Sequence, residues 1–321
     1  MYRLIFRYIV IFCPNLVVTG SFTWYLKFLG IPLTLSAIMF KMFKCSQRKR
    51  KALLEKVVVI TGASSGIGEA LAHAFYEQGS KVVLAARRES ELNRVKSELL
   101  AKTFPTPEPV VIPLDLAVLD DIEPFVKKVQ ETCGHIDILI NNGGVSHRAS
   151  VVDTKIEIDQ QIMTVNYFGA VALTKAIIPQ MIDRKSGHIA FVSSVQGLIA
   201  IPHRSAYAAS KHAMQAFGDS LRAEIHQHHV NVTVISPGYV KTAVSLNAFA
   251  GDGSRHGVMD KSTAAGFSPK YCADKIVKAI VNKKPELVVS QLVPKLAIFL
   301  RHWSPSIYFR LMVRRANETS W

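Results

Sequence analysis

The chain has 321 residues, 49% of them hydrophobic, with 39 Lys and Arg against 24 Asp and Glu and a formal charge of +15. That length is ample for one large α/β domain, and four cysteines scattered along it do not form a disulfide framework. The charge belongs to the ends: residues 1–56 carry a local +9 and residues 295–321 another +4, which leaves +2 for the body and disfavours a nucleic-acid groove.

In chain order, the first predicted element is an uncharged run, YIVIFCPNLVVTGSFTWYL (8–26), of about the length that crosses a bilayer. A second apolar run, FLGIPLTLSAIMF (28–40), follows Lys27. One tilted signal-anchor drawn from residues 8–40 fits both runs and is preferred to a hairpin tipped at Lys27. No small-residue cleavage site marks a removed signal peptide. Six basic side chains in KMFKCSQRKRK (41–51), against Arg3 and Arg7 before the span, put the body on the cytoplasmic side of a single-pass membrane protein. The endoplasmic reticulum is the expected compartment and the peroxisome the alternative, with no Ser-Lys-Leu end to help.

From residue 57 the sequence alternates β-branched runs with helical stretches. The strands read VVVIT (57–61), KVVLAA (81–86), PVVIPLD (109–115), IDILIN (136–141), HIAFVSS (188–194), VNVTVIS (230–236) and ELVVS (286–290). Almost wholly apolar runs of this kind are covered on both faces, which predicts a doubly wound parallel α/β sheet of about seven strands in a single Rossmann-type domain. Residues 244–270 are the least regular part and read as a mobile insertion near the ligand. No Cys/His cluster has metal-ligand spacing.

TGASSGIG follows the first strand and leads into EALAHAFYEQG. Gly62, Gly66 and Gly68 allow a tight turn in which backbone N–H groups and a helix N-terminus meet a pyrophosphate. The second strand ends LAARR. In place of the carboxylate that accepts adenosine ribose hydroxyls stand Ala86, Arg87 and Arg88, and two guanidiniums suit a 2′-phosphate, so NADP(H) is the expected cofactor. Asp115, closing the third strand, has the acceptor chemistry to hold an adenine amino group.

YAASK places Tyr207 and Lys211 four positions apart, a helical turn from each other on one face. A free phenol titrates near about 10, and a cation one turn away draws it toward neutrality, as acid–base work requires. TGASSGIG, NNGG (141–144), Asn166, Ser194, YAASK (207–211) and PGYVKT (237–242), in that order over residues 55–290, resemble the short-chain dehydrogenase/reductase family. The resemblance implies catalytic roles for Asn166, Ser194, Tyr207 and Lys211. Ser194 hydrogen-bonds a substrate carbonyl, Tyr207 exchanges the proton, Lys211 lowers the phenol pKa and holds the nicotinamide ribose, and Asn166 holds a relay water. It also implies a cofactor lining of Gly62, Ser64, Ser65, Ile67, Arg87, Asp115, Asn142, Tyr207, Lys211, Pro237, Gly238 and Thr242, and a homodimer. Gly143 departs from the family's Asn-Asn-Ala-Gly pattern.

These readings divide the chain into an anchor and basic juxtamembrane segment (1–51), a catalytic domain (52–294) and an amphipathic tail (295–321) expected to rest on the membrane. The anchor points to a lipophilic carbonyl or alcohol substrate. Arg148, after the NNGG loop, and Arg204, three residues before Tyr207, are expected at the substrate mouth, where they would receive an anionic head group such as the phosphate of an acyl- or alkyl-dihydroxyacetone phosphate. A retinoid or steroid dehydrogenase is the rival enzyme reading, and a catalytically idle NADPH-sensing scaffold the rival outside enzymology.

Overall fold

Seven strands pair in parallel in the order β3-β2-β1-β4-β5-β6-β7. They are β1 (Val57–Thr61), β2 (Lys81–Ala85), β3 (Val110–Val111), β4 (Ile138–Asn141), β5 (Gly187–Val192), β6 (Val230–Pro237) and β7 (Glu286–Val289). The computed structural model describes residues 51–102 and 104–318, so the anchor predicted within residues 8–40 lies outside the described residues. Leu53–Trp321 form one compact unit, in which the tail is not set apart from the body.

Strand side chains alternate between two cores, as the pleat requires. Val57, Val59, Val83, Leu139, Ile189, Phe191 and Val234 pack on one face against α3 (Ile122–Cys133), α5 (Gly169–Asp183) and α6 (Ser205–Glu224). Val58, Ile60, Val82, Leu84, Ile140 and Val192 pack on the other against α1 (Gly66–Tyr76), α2 (Glu89–Leu100) and α8 (Pro269–Val281). Both faces are thus closed by helices, which is why the strands read as apolar runs. The strand order reverses between β1 and β4, and ligands of open α/β sheets bind at that crevice.

The third strand is shorter than its sequence suggests. Pro109 and Pro113 have no N–H to give, so ladder pairing is confined to Val110 and Val111, although Ile112 and Leu114 still donate to Leu84 and Ala86.

α4 (Ile156–Met163) runs through a π-helical turn, Thr164–Phe168, into α5. This 28-residue rod, Ile156–Asp183, is long and apolar enough to span a bilayer by composition, but Ile162, Leu173, Ile177 and Met181 bury its apolar face in the protein. It is a core helix. After β7 the chain ends in two helices, α9 (Leu292–Trp303) and α10 (Pro305–Glu318). The Tyr308 hydroxyl donates to the Ala200 carbonyl and clasps α10 to the loop beyond β5.

The insertion is not a free loop. It contains a short helix, α7 (Lys261–Ala264), pairs through Phe249 with His147 and through Phe267 with Val240, and buries Ser245, Ala248, Asp260 and Thr263.

Candidate active site

The glycine loop closes a cradle that only glycine fits. Gly62 has φ +65°, and a Cβ at Gly68 would lie 2.2 Å from the Gly62 carbonyl oxygen. Asn142 locks this loop to the end of β4: its side-chain amide donates to the Thr61 carbonyl at 2.9 Å, while the Thr61 hydroxyl accepts the N–H groups of Asn142 and Gly143. At Gly143 a Cβ would come within 2.7 Å of Leu116 Cδ1, so the departure from alanine accommodates a neighbouring leucine. Thr242 packs its methyl beside Gly66, which brings the segment after β6 to the cradle, and Gly238 donates to the Val289 carbonyl. Ile67 packs between two apolar clusters.

Ser64 is buried and Ser65 exposed; Ser65 stands at the α1 N-cap with no side-chain capping bond. Of the two arginines after β2, it is Arg88 that reaches the loop, donating to the Ser64 hydroxyl at 3.3 Å. Arg87 is exposed. Arg94, which the sequence reading missed, also donates to the Ser64 carbonyl, at 3.4 Å, while held by Glu69, Glu91 and Glu98. Asp115 accepts the N–H of Ala117 at 3.0 Å and so shapes the turn after β3.

Ser194 ends the stretch after β5 with its hydroxyl accepting the Gln196 N–H at 3.1 Å and pointing toward the Pro237 carbonyl. Tyr207 and Lys211 face it from α6, the ammonium 5.8 Å from the centre of the phenol ring. Lys211 is buried, donates to the Val192 carbonyl at 3.0 Å, and is pushed down to about 8 by desolvation. The phenol stands above its ordinary value because it too is desolvated. The Ser194 hydrogen bond, then the Arg148 and Arg204 guanidiniums, act in the opposite direction. The downward pull expected from Lys211 therefore comes here from Ser194 and two arginines.

Asn166 sits inside the π turn, fully buried. Its amide donates to the Val145 carbonyl and the Ser210 hydroxyl, both at 2.9 Å, and accepts the Val145 N–H at 2.7 Å. Both donors are committed to the protein, so a water at this point would have to be held by an acceptor.

Arg148 and Arg204 are not open at a substrate mouth. Both are buried on Asp260: Arg148 Nη2 lies 2.6 Å and Arg204 Nη2 2.9 Å from Asp260 Oδ2. A head group would meet these guanidiniums only in competition with that carboxylate. Asp260 was invisible to the sequence reading because it lies in the irregular insertion, 112 residues from one partner and 56 from the other.

A glycine cradle at the β1/β4 crevice, with a serine, a tyrosine and a lysine converging beside it, defines a nicotinamide-dependent oxidoreductase of the Rossmann type. The chain belongs to the short-chain dehydrogenase/reductase family: the family profile described as short chain dehydrogenase matches residues 56–252. It is 51% identical over 296 residues to the "Dehydrogenase/reductase SDR family protein 7-like" of Drosophila melanogaster, covering 91% of each chain. It is 46% identical to the "Dehydrogenase/reductase SDR family member 7B" of Bos taurus, covering 90% of each. Among solved structures, an alcohol dehydrogenase from the archaeon Thermococcus sibiricus, complexed with 5-hydroxy-NADP, is 25% identical and superposes with TM-score 0.62 over 74% of this chain and 95% of its own. A Streptomyces avermitilis short-chain dehydrogenase shares the fold, with TM-score 0.66 and 24% identity over 83% of this chain and 99% of its own.

Proposed function

We propose that this protein is an NADP(H)-dependent oxidoreductase that interconverts a lipophilic ketone and its secondary alcohol at a membrane surface. The observation that carries this reading is the convergence of Ser194, Tyr207 and Lys211 beside the glycine cradle. Ser194 donates to the substrate oxygen and Tyr207 gives up its proton to it during reduction. Lys211 fixes the ribose side of the site, and Asn166 holds the loop at Val145 against α6. The nicotinamide, when bound, supplies the hydride.

Arg88 and Ser64 favour the 2′-phosphate over a ribose hydroxyl. Charge-assisted hydrogen bonds contribute about 1.5–3 kcal/mol each, so Arg88→Ala is expected to raise the NADPH dissociation constant about 10- to 100-fold and leave that of NADH nearly unchanged. Equal weakening of both, read by cofactor fluorescence titration, would remove Arg88 from the phosphate site.

The tail supports the membrane part of the reading. Leu292, Leu296, Phe299 and Trp303 fall on one face of α9 and are 69, 50, 57 and 71% exposed, with Lys295, Arg301, Arg310 and Arg314 on the two helices to meet anionic headgroups. A chain lacking residues 1–50 is expected to bind vesicles containing anionic lipid, and Phe299→Glu with Trp303→Glu to abolish that binding. Retention by the double variant would sink the tail's role.

For the substrate, the excess of two guanidiniums over one carboxylate favours an anionic lipid ketone, with acyl- or alkyl-dihydroxyacetone phosphate the first to test and a place in ether-lipid and glycerolipid synthesis its consequence. The occupation of both arginines by Asp260 favours instead an uncharged retinoid or steroid. The deciding experiment is NADPH oxidation by the full chain in detergent with the phosphorylated ketone, all-trans-retinal and a ketosteroid. Turnover of the phosphorylated ketone alone supports the first reading; turnover of the uncharged compounds alone supports the second. Tight NADPH binding without turnover of any of them would point to a cofactor-sensing scaffold.

A further inference from the structure

Arg148, Arg204 and Asp260 come from three separate segments and meet in the protein interior. Arg148 follows β4, Arg204 precedes α6, and Asp260 opens the short helix of the insertion. Their exposures are 7, 5 and 6%. Asp260 accepts from Arg148 Nε and Nη2 and from Arg204 Nη2, and Thr263 approaches the same oxygen. The remaining Arg148 nitrogen, Nη1, is held by the Ser146 hydroxyl at 2.7 Å and the His147 carbonyl at 2.6 Å. Arg148 is therefore held at all three guanidinium nitrogens, and Arg204 is tied to Asp260 through Nη2.

The charges do not cancel. Two guanidiniums face one carboxylate, and burying an uncompensated positive charge is unfavourable unless something near it benefits from the field. Arg204 records that strain: desolvation first, then Arg148, brings it down to about 10. Asp260 would be lifted by desolvation, but the Arg148 hydrogen bonds and the two cations hold it below its ordinary value, so it stays ionised at neutral pH. Arg204 stands three residues before Tyr207 at the entry to the same helix, and both arginines act through space on the Tyr207 phenol.

We propose that Asp260, Arg148 and Arg204 form a built-in electrostatic device for the acid–base tyrosine, in which Asp260 is a positioning residue that fixes two guanidiniums near Tyr207 and leaves one net positive charge to stabilise its phenolate. This rests on Tyr207 as the proton-exchanging group and gives its phenolate a stabilisation from the two guanidiniums that needs no cofactor. The other groups around the phenol are Ser194 from the β5 end and Lys211 from α6. His256 of the insertion faces Asp260, and Tyr239 and Arg315 face Arg204. α4 packs on this end of α6 through Ile158 and Ile162 against Ala206.

The signature of a field is opposite effects from opposite charges. The test is the pH at which Tyr207 ionises, read as tyrosinate ultraviolet absorbance of the full chain minus that of Tyr207→Phe, and again as the pH dependence of kcat/KM. Arg204→Met and Arg148→Met should each move that pH upward by about half a unit or more, a threefold loss of phenolate at fixed pH. Asp260→Asn, which keeps the shape but removes the opposing charge, should move it downward. Arg204→Lys, retaining the charge, should stay near the parent. Superposition of all four titrations on the parent, or a shift in one direction irrespective of charge, would overturn the proposal. The absorbance titration needs no substrate, so failure to find one leaves this test intact.

Discussion

Tyr207→Phe is expected to reduce turnover by about 10²–10⁴-fold or more, the range over which a positioned acid or base contributes, with NADPH affinity within a fewfold of the parent. The substitution removes one oxygen. The ring keeps its place on α6, Lys211 keeps the Val192 carbonyl, and the glycine cradle is untouched. What is lost is the hydroxyl that shares a hydrogen bond with Ser194 and lies within the field of the nearby guanidiniums. The measurement is single-turnover NADPH oxidation with the ketone that the parent reduces, alongside cofactor titration. Parent-like turnover would show that the proton comes from elsewhere.

The second large effect concerns stability and has the opposite sign from what loss of an active-site residue suggests. Lys211 is 4% exposed and its ammonium is pushed from 10.5 to about 8 by desolvation. Holding such a group charged costs the folded state about 3 kcal/mol at neutral pH. Below about pH 8 the lysine is protonated in both folded and unfolded chains, and the whole penalty is present. Between about 8 and 10.5 the unfolded chain keeps a proton that the folded chain has released, so stability rises with pH and the penalty fades. Lys211→Met removes the charge at similar length and leaves only the Val192 carbonyl without its donor, a loss of about 1 kcal/mol. The variant is therefore expected to be inactive yet about 2 kcal/mol more stable near pH 7, with the advantage shrinking toward pH 10. Urea denaturation at the two pH values checks it; a destabilised variant at pH 7 would show that the ammonium is a net structural asset.

The two effects have a common origin, since a site that must hold a cation and a proton-exchanging phenol away from water carries both as strain. The strain is visible in the structure and largely invisible in the sequence. YAASK gave the spacing of Tyr207 and Lys211, because a helix makes four-residue neighbours touch. The seven strands and both faces of the sheet are legible for a different local reason: unbroken apolar runs record burial on both sides. Arg148 and Arg204 stand out in the sequence, but their environment does not, because Asp260 reaches them across more than fifty residues and no periodic pattern marks that contact. Arg88 and Arg87 looked alike as adjacent cations; only the turn into α2 decides which one meets Ser64. The shortened β3 was readable in principle from Pro109 and Pro113, each of which withholds a ladder donor. The Tyr308 clasp joins segments 108 residues apart and left no local signal.

The π turn has a consequence for the chain around it. From Ile158 through Ile162, Asn166, Ala170 and Thr174 the buried positions step by four residues. On an unbroken α-helix each such step drifts by about 40°, and this buried row would spiral off the sheet within a few turns. The wider turn at Thr164–Phe168 resets the angular phase, so the first half can present Ile158 and Ile162 to α6 while the second presents Leu173, Ile177 and Met181 to the strands. On an unbroken α-helix Leu173, eleven positions after Ile162, would lie within about 20° of it on the same face, so the spare residue is what lets the two halves face different partners. Asn166 lies within that reset, and so the placement of its amide and the alignment of a fifteen-residue helix are set by the same spare residue.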